Sequence, residues 1–262
     1  MTHAIRRRDV TQRILAQVEE VTVAHPFRWL RAGWRDLRRA PAASIGYGAL
    51  FTMVSYLITL WVVVNPGFFH FLLPLLFGFF LVGPALGVGP YEISRCLERG
   101  EQPRLGGALA AVWSRGFRVT VLGAFMLFLL IVWVGFAAAI FEGPSAGLTP
   151  SLGNALGALL SPDRLPLLLA GLVVGALLAL VVFLLSAVSA PMLLDRDDVS
   201  AVEVLQTSLA ACRYNWRPML IWAALIVICI FAGFLTLYVG LVIGFPVIGH
   251  ATWHAYRDLV RQ

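Results

Sequence analysis

PLLLAGLVVGALLALVVFLLSAVSAPMLL, residues 166–194, runs without a single charged residue, and its only hydroxyls are Ser186 and Ser189. A helix rising 1.5 Å per residue crosses about 30 Å of hydrocarbon in roughly 20 residues, so this stretch is long enough to span a bilayer. It has no polar face for water, which sets lipid as its solvent. Working outward, similar runs occupy 41–64, 68–90 and 117–141. A last apolar region, 218–256, is too long for one upright span and divides into 218–237 and 239–256, with a turn near Leu237 to Gly240. The expected fold is an all-α, polytopic membrane helix bundle of six transmembrane helices, with five as the alternative. Composition agrees: 60% of the 262 residues are apolar, 13% are charged and the mean hydropathy is +0.84, far too little polar surface for a soluble domain.

The basic residues give the orientation. All twenty are arginine and none is lysine; nothing structural follows from that choice. Arg6 to Arg39 precede the first span, Arg95, Arg99, Arg104, Arg115 and Arg118 lie between the second and third, Arg196, Arg213 and Arg217 follow the fourth, and Arg257 and Arg261 close the chain. Only Arg164 falls on the other side. Arginine-rich loops stay in the cytoplasm, so both termini are expected there. These arginines border apolar runs, so anionic lipid headgroups, a protein partner or a second copy of the chain are the expected partners, and nucleic acid is not. Cys96, Cys212 and Cys229 have no paired spacing and imply neither a disulfide framework nor a zinc site. No early apolar core with a small-residue cleavage site precedes the first span, which argues against a cleaved signal peptide.

Each odd-numbered span follows a basic stretch with helical apolar spacing: 26–40, 103–118 and 199–217. In the first, Phe27, Leu30, Trp34 and Leu37 form one stripe while Arg28, Arg31, Arg35 and Arg38 take another face, the pattern of a helix lying in the membrane interface. In the third, Val202, Leu205, Leu209 and Cys212 repeat it after Asp195, Asp197 and Asp198, acids that suit a helix start. A module of interfacial helix, span, outer turn and span, used three times, describes residues 26–262 as one membrane domain; the alternative is that any loop beside lipid becomes basic and amphipathic. Trp29, Trp34, Trp113 and Trp216 are expected at headgroup depth. Residues 1–25 form a separate arm in which Val10, Ile14, Val18 and Val21 make a further apolar stripe, readable as a surface anchor or as a docking helix.

Three segments, Pro90-Tyr91-Glu92-Ile93-Ser94, Leu193-Leu194-Asp195-Arg196 and the ending Gly249-His250-Ala251-Thr252-Trp253-His254-Ala255-Tyr256-Arg257, resemble a bacterial family of predicted integral membrane proteins known only as domain of unknown function 2189. The resemblance covers nearly all of the chain beyond the arm. It implies an inner-membrane protein of this length and topology and transfers no reaction, substrate or catalytic residue.

Candidate chemistry is sparse. His250 and His254 share a helix face and could hold a metal or haem if His25, Cys96, Cys212 or Glu92 supplied a third ligand; His70 lies at the opposite side, and an interfacial belt with Trp253 and Tyr256 is the favoured reading of the pair. Glu92 beside Gly87, Gly89 and Pro90 could line a polar path with Ser55, Thr59, Ser186 and Ser189, or pair with Arg95 or Arg118. No ionisable residue lies at mid-membrane, which counts against ion-coupled transport, and there is no phosphate-binding glycine loop, metalloprotease motif or nucleophile elbow. No cofactor is expected. Gly83 with Gly87, Gly171 with Gly175 and Gly240 with Gly244 offer close helix approaches, and Pro74, Pro84 and Pro246 offer kinks. The leading expectation is a non-enzymatic accessory, assembly or scaffolding protein whose Arg28, Arg31, Arg35, Arg38, Trp29 and Trp34 meet lipid or a partner. A small-solute or lipid transporter is the alternative, and a metal- or haem-handling protein comes third.

Overall fold

The computed structural model of the chain describes residues 17–65, 68, 71–114, 116–145, 162 and 165–261. Val10, Ile14, His70 and Arg164 lie outside them, as do most of the expected outer turns; the side chains of Trp113 and Arg118 are likewise not described. Among the described residues the regular secondary structure is helix, with one isolated bridge between Val18 and Val260.

A helix followed after one residue by a longer apolar helix recurs three times among the described residues. Helix α1 (His25–Arg39) is followed after Ala40 by α2 (Pro41–Val64); α5 (Leu105–Ser114) by α6 (Gly116–Ser145); and α9 (Ala201–Tyr214), after Asn215, by α10 (Trp216–Leu235). Each pair is separated by one residue. The returning element is α3 (Leu72–Leu86) with α4 (Val88–Glu98), then α7 (Leu165–Ser186) with α8 (Ser189–Asp195), then α11 (Leu241–Leu259). Helices long and apolar enough to span are Pro41–Val64, Pro74–Glu98, Leu168–Asp195 and Trp216–Leu235, with a shorter apolar helix at Val121–Ala137. Against the expected 68–90, the described helix continues to Glu98, with Glu92 and Arg95 paired on it. The final region is the expected hairpin: Leu237 and Tyr238 take φ of 49° and 69°, and the Thr236 hydroxyl donates to the Gly233 carbonyl at 2.9 Å while accepting from the Gly240 amide at 2.8 Å. Its return helix α11 is mostly buried against protein, which answers the polarity of His250, His254, Arg257 and Asp258.

The chain divides into two compact units, each described here by itself: Met1–Met53, Pro84–Leu122 and Phe183–Gln262 form the first, and Val54–Gly83 with Gly123–Val182 the second. In the second, Trp133 is the organising side chain. Its indole N–H donates to the Pro74 carbonyl at 2.8 Å, its ring meets Phe77 edge-on, and Gly175 leaves the space its far edge occupies.

In the first unit α4, α8 and α11 contact one another, and the amphipathic helices pack around them: α1 on α11, α5 on α4 and α9 on α8. Within this unit α5 and α9 thus each rest on the returning element that precedes them in the chain, and α1 rests on the last one. Helix breaks are repaired locally. Pro90 has no amide to bond the Leu86 carbonyl, and the Tyr47 hydroxyl donates to that carbonyl instead at 2.7 Å. Between α7 and α8, Ser208 accepts from the Val188 amide and donates to the Leu184 carbonyl at 2.8 Å. Helix α9 is capped by Ser200, which accepts from Glu203 N, so a serine with a following glutamate fixes the start, rather than the three aspartates. The described end of the arm is not helical at residues 19–22. Glu19 N donates to the Leu259 carbonyl, Arg261 N to the Gln17 carbonyl, and Asn215 accepts from Val21 N and donates to the Glu19 carbonyl. Of the two readings of this arm, its described part docks on protein.

The stripe expected along α1 is split between two faces. Trp29, Gly33, Asp36, Leu37 and Ala40 face inward, whereas Phe27 and Trp34 are 57% and 46% exposed. Trp29, expected at the headgroups, is 1% exposed, donates to Asp258 Oδ2 at 2.8 Å and meets Trp222 edge-on. The reason is spacing: Gly33 admits the α11 backbone, and a Cβ there would meet the Val247 carbonyl at 2.5 Å and the Ala251 amide at 2.7 Å. Trp29→Ala is expected to cost about 3–5 kcal/mol of stability, and Trp34→Ala less than about 0.5 kcal/mol in detergent. Thermal unfolding of the two purified variants followed by size-exclusion fluorescence compares them, and equal losses would contradict this orientation.

Candidate functional site

The polar side chains that the first unit draws together come from four helices. Asp36 (α1), Ser44 (α2), Ser94 (α4), and His250 and His254 (α11) form one hydrogen-bonded cluster, in which Ser44, Ser94 and His250 are completely buried and Asp36 nearly so. The Pro90 carbonyl lies 3.1 Å from His250 Nδ1 and can only accept, so that nitrogen carries the proton and shares it with Ser94 Oγ at 2.9 Å. His250 Nε2 is then the acceptor, and the Ser44 hydroxyl donates to it at 2.9 Å. Ser94 donates onward to Asp36 Oδ2 at 2.8 Å, and His254 Nε2 donates to the same oxygen at 2.7 Å. The chain of donors runs Ser44, His250, Ser94, Asp36, with His254 closing on the carboxylate from the half-exposed edge. None of these side chains is left with an unpartnered buried polar atom.

Electrostatics follow from this geometry. Burial alone would raise the Asp36 carboxyl. The hydrogen bond and charge of His254, the Ser94 hydroxyl and the neighbouring His250 outweigh it, and the group is held below its ordinary 3.8. A carboxylate taking two donors is the stable form of this site.

A second cluster lies where α4, α8 and α11 meet. Arg95 pairs with Glu92 at 2.8 Å and reaches the Leu194 carbonyl. The Tyr256 hydroxyl donates to Asp195 at 2.8 Å, and Arg257 bridges Asp195 and Glu98. These contacts tie the three returning elements at one end.

The expected sites separate accordingly. His250 and His254 are brought together, but onto different partners, and among the described residues no three His, Cys, Asp or Glu side chains are grouped to hold a metal. His25 bonds Thr22, Cys96 lies against Glu92, and Cys212 is buried in α9 with its thiol pushed up to about 12 by that burial. Glu92 pairs with Arg95, one of the two arginines expected for it. Ser189 is spent on the Leu185 carbonyl and Ser186 is buried, both in the first unit, whereas Ser55 and Thr59 belong to the second. Arg28, Arg31, Arg35 and Arg38 are exposed. Asp36 was missed by sequence reasoning. Its signal was available: the one acid among the arginines of α1, in helical register with Trp29 and Gly33.

Comparison with known proteins adds the class. Residues 71–195 match the model of a family described as "Predicted integral membrane protein (DUF2189)". No curated protein and no solved structure matches the chain. The match contains the Pro90–Ser94 segment and ends at Asp195, so the histidine-bearing ending and α1 lie outside it, a narrower range than the near-complete coverage expected. The chain is an integral membrane protein with several apolar helices, and the family's description assigns it no activity.

Proposed function

We propose that the chain is a non-enzymatic accessory, assembly or scaffolding protein of a bacterial inner membrane, with both termini in the cytoplasm. The observation that carries this reading is the closed hydrogen-bonding of the Asp36, Ser94, His250 and Ser44 cluster. The most polar interior of the molecule has its donors and acceptors committed to joining α1, α2, α4 and α11, so its chemistry is that of a fastener. The arginine distribution, nineteen on one side of the expected topology and Arg164 on the other, supports the orientation.

Gentle detergent extraction from the native membrane, followed by mass spectrometry of co-purifying proteins and elemental analysis of the same sample, tests the proposal. A reproducible stoichiometric partner is the expected result. A homogeneous chain with no protein partner would favour small-solute or lipid transport instead, and a stoichiometric bound metal would favour metal handling.

A further inference from the structure

We propose that the outward face of α1 is a preformed binding shelf for anionic phospholipid headgroups, with Arg28, Arg31, Arg35 and Arg38 taking the phosphates and Phe27 and Trp34 entering the acyl boundary. Three observations carry it. First, α1 has three faces rather than two. One is fixed against α11 through Trp29 and Asp36, the next exposes Phe27 and Trp34, and the third exposes Arg28, Arg31, Arg35, Arg38 and Arg39. The single acid of the helix, Asp36, is turned inward, so the outward surface bears only positive charge, and none of these arginines forms an ion pair among the described residues.

Second, the arrangement recurs in α9. It buries Val204, Thr207, Ser208 and Ala211 and leaves Val202 and Leu209 63% and 42% exposed. In both helices glycine or hydroxyl groups face the protein beside Trp29, Leu37 and Val204, while Phe27, Trp34, Val202 and Leu209 stay exposed, more bulky apolar surface than a helix surrounded by water shows. An apolar medium on the outside makes that choice favourable. Third, α1 passes through one residue, Ala40, into a span, so its outward face lies at the membrane boundary. Exposed apolar rings beside unpaired arginines match an anionic lipid surface in both parts of the lipid, tail and phosphate. Because Trp29 and Asp36 lock its rotation, the helix needs no ordering on binding. This surface is independent of whether the protein has a protein partner.

The test uses the full purified chain in bilayers containing brominated phosphatidylglycerol or, at the same mole fraction, brominated phosphatidylcholine. The Trp34 fluorescence is taken as the difference between the wild type and Trp34→Phe. The anionic lipid is expected to quench Trp34 about fivefold more effectively. That preference should vanish in the fourfold Arg28→Gln, Arg31→Gln, Arg35→Gln, Arg38→Gln variant, persist in the corresponding fourfold lysine variant, and weaken in high salt. Equal quenching by the two lipids overturns the proposal, as does a preference unaffected by the glutamine substitutions. Absence of quenching by either lipid also overturns it, since the face would then be covered by protein.

Discussion

Gly48→Leu is expected to abolish the folded protein in detergent, with a loss greater than about 3 kcal/mol, at the upper end of what overpacking costs. A Cβ at Gly48 would run into the Val242 carbonyl and lie 2.8 Å from the Pro246 ring. Both obstacles are rigid. Pro246 removes the amide that would have bonded the Val242 carbonyl within α11, and α2 approaches that carbonyl closely because Gly48 has no side chain. The neighbouring Tyr47 stacks on Phe245 with centroids 6.3 Å apart, so α2 cannot shift without losing that packing. Gly83→Leu is the matched control: no atom lies within 4 Å of a Cβ there, and its effect should stay within about 0.5 kcal/mol. Size-exclusion fluorescence after graded heating reads both variants. A monodisperse Gly48→Leu protein with wild-type midpoint would mean that α2 and α11 do not approach as described.

Asp36→Ala should cost about 3–5 kcal/mol, the penalty for removing one partner of a buried charged pair, because Ser94 and His254 would both lose their acceptor. Asp36→Asn keeps one acceptor oxygen and should cost less, about 1–3 kcal/mol. The pH dependence has a definite sign. The native carboxyl is held below 3.8, so the unfolded chain takes up the proton first as pH falls. The stability due to Asp36 is complete above that value and is lost as pH falls through the lower native one. Melting curves collected from neutral pH down to pH 3 should therefore show an acid-side decline in the wild type that is reduced in Asp36→Asn. Identical profiles would place the titrating group elsewhere.

Much of the architecture was legible in the sequence because the properties that encode it are one-dimensional. The length of an uncharged run decides whether it spans, and the 41–64 prediction coincides with α2. The recurrence of a basic amphipathic stretch before each odd-numbered span predicted the α1–α2, α5–α6 and α9–α10 pairs, and the excessive length of the last apolar region predicted the hairpin closed by Thr236. The small-residue pairs were less informative. Gly175 does meet Trp133, but no atom lies within 4 Å of a Cβ at Gly83 or Gly171. The close approaches fall instead at Gly33, Gly48 and Gly249, which packs on Pro90.

What the sequence alone determined was the solvent of each segment: apolar runs for lipid, arginines for the water side, and histidines near the end as the only imidazole pair. What only the tertiary structure decided was which face of each amphipathic helix turns inward, and hence that Asp36, 58 residues from Ser94 and 218 from His254, completes their cluster. Periodicity identifies an apolar stripe but is blind to the neighbour's shape. A helix that must lie close to another turns its glycine inward together with the residues whose partners wait there, Trp29, Asp36 and Leu37 on α1, while Phe27 and Trp34 stay exposed.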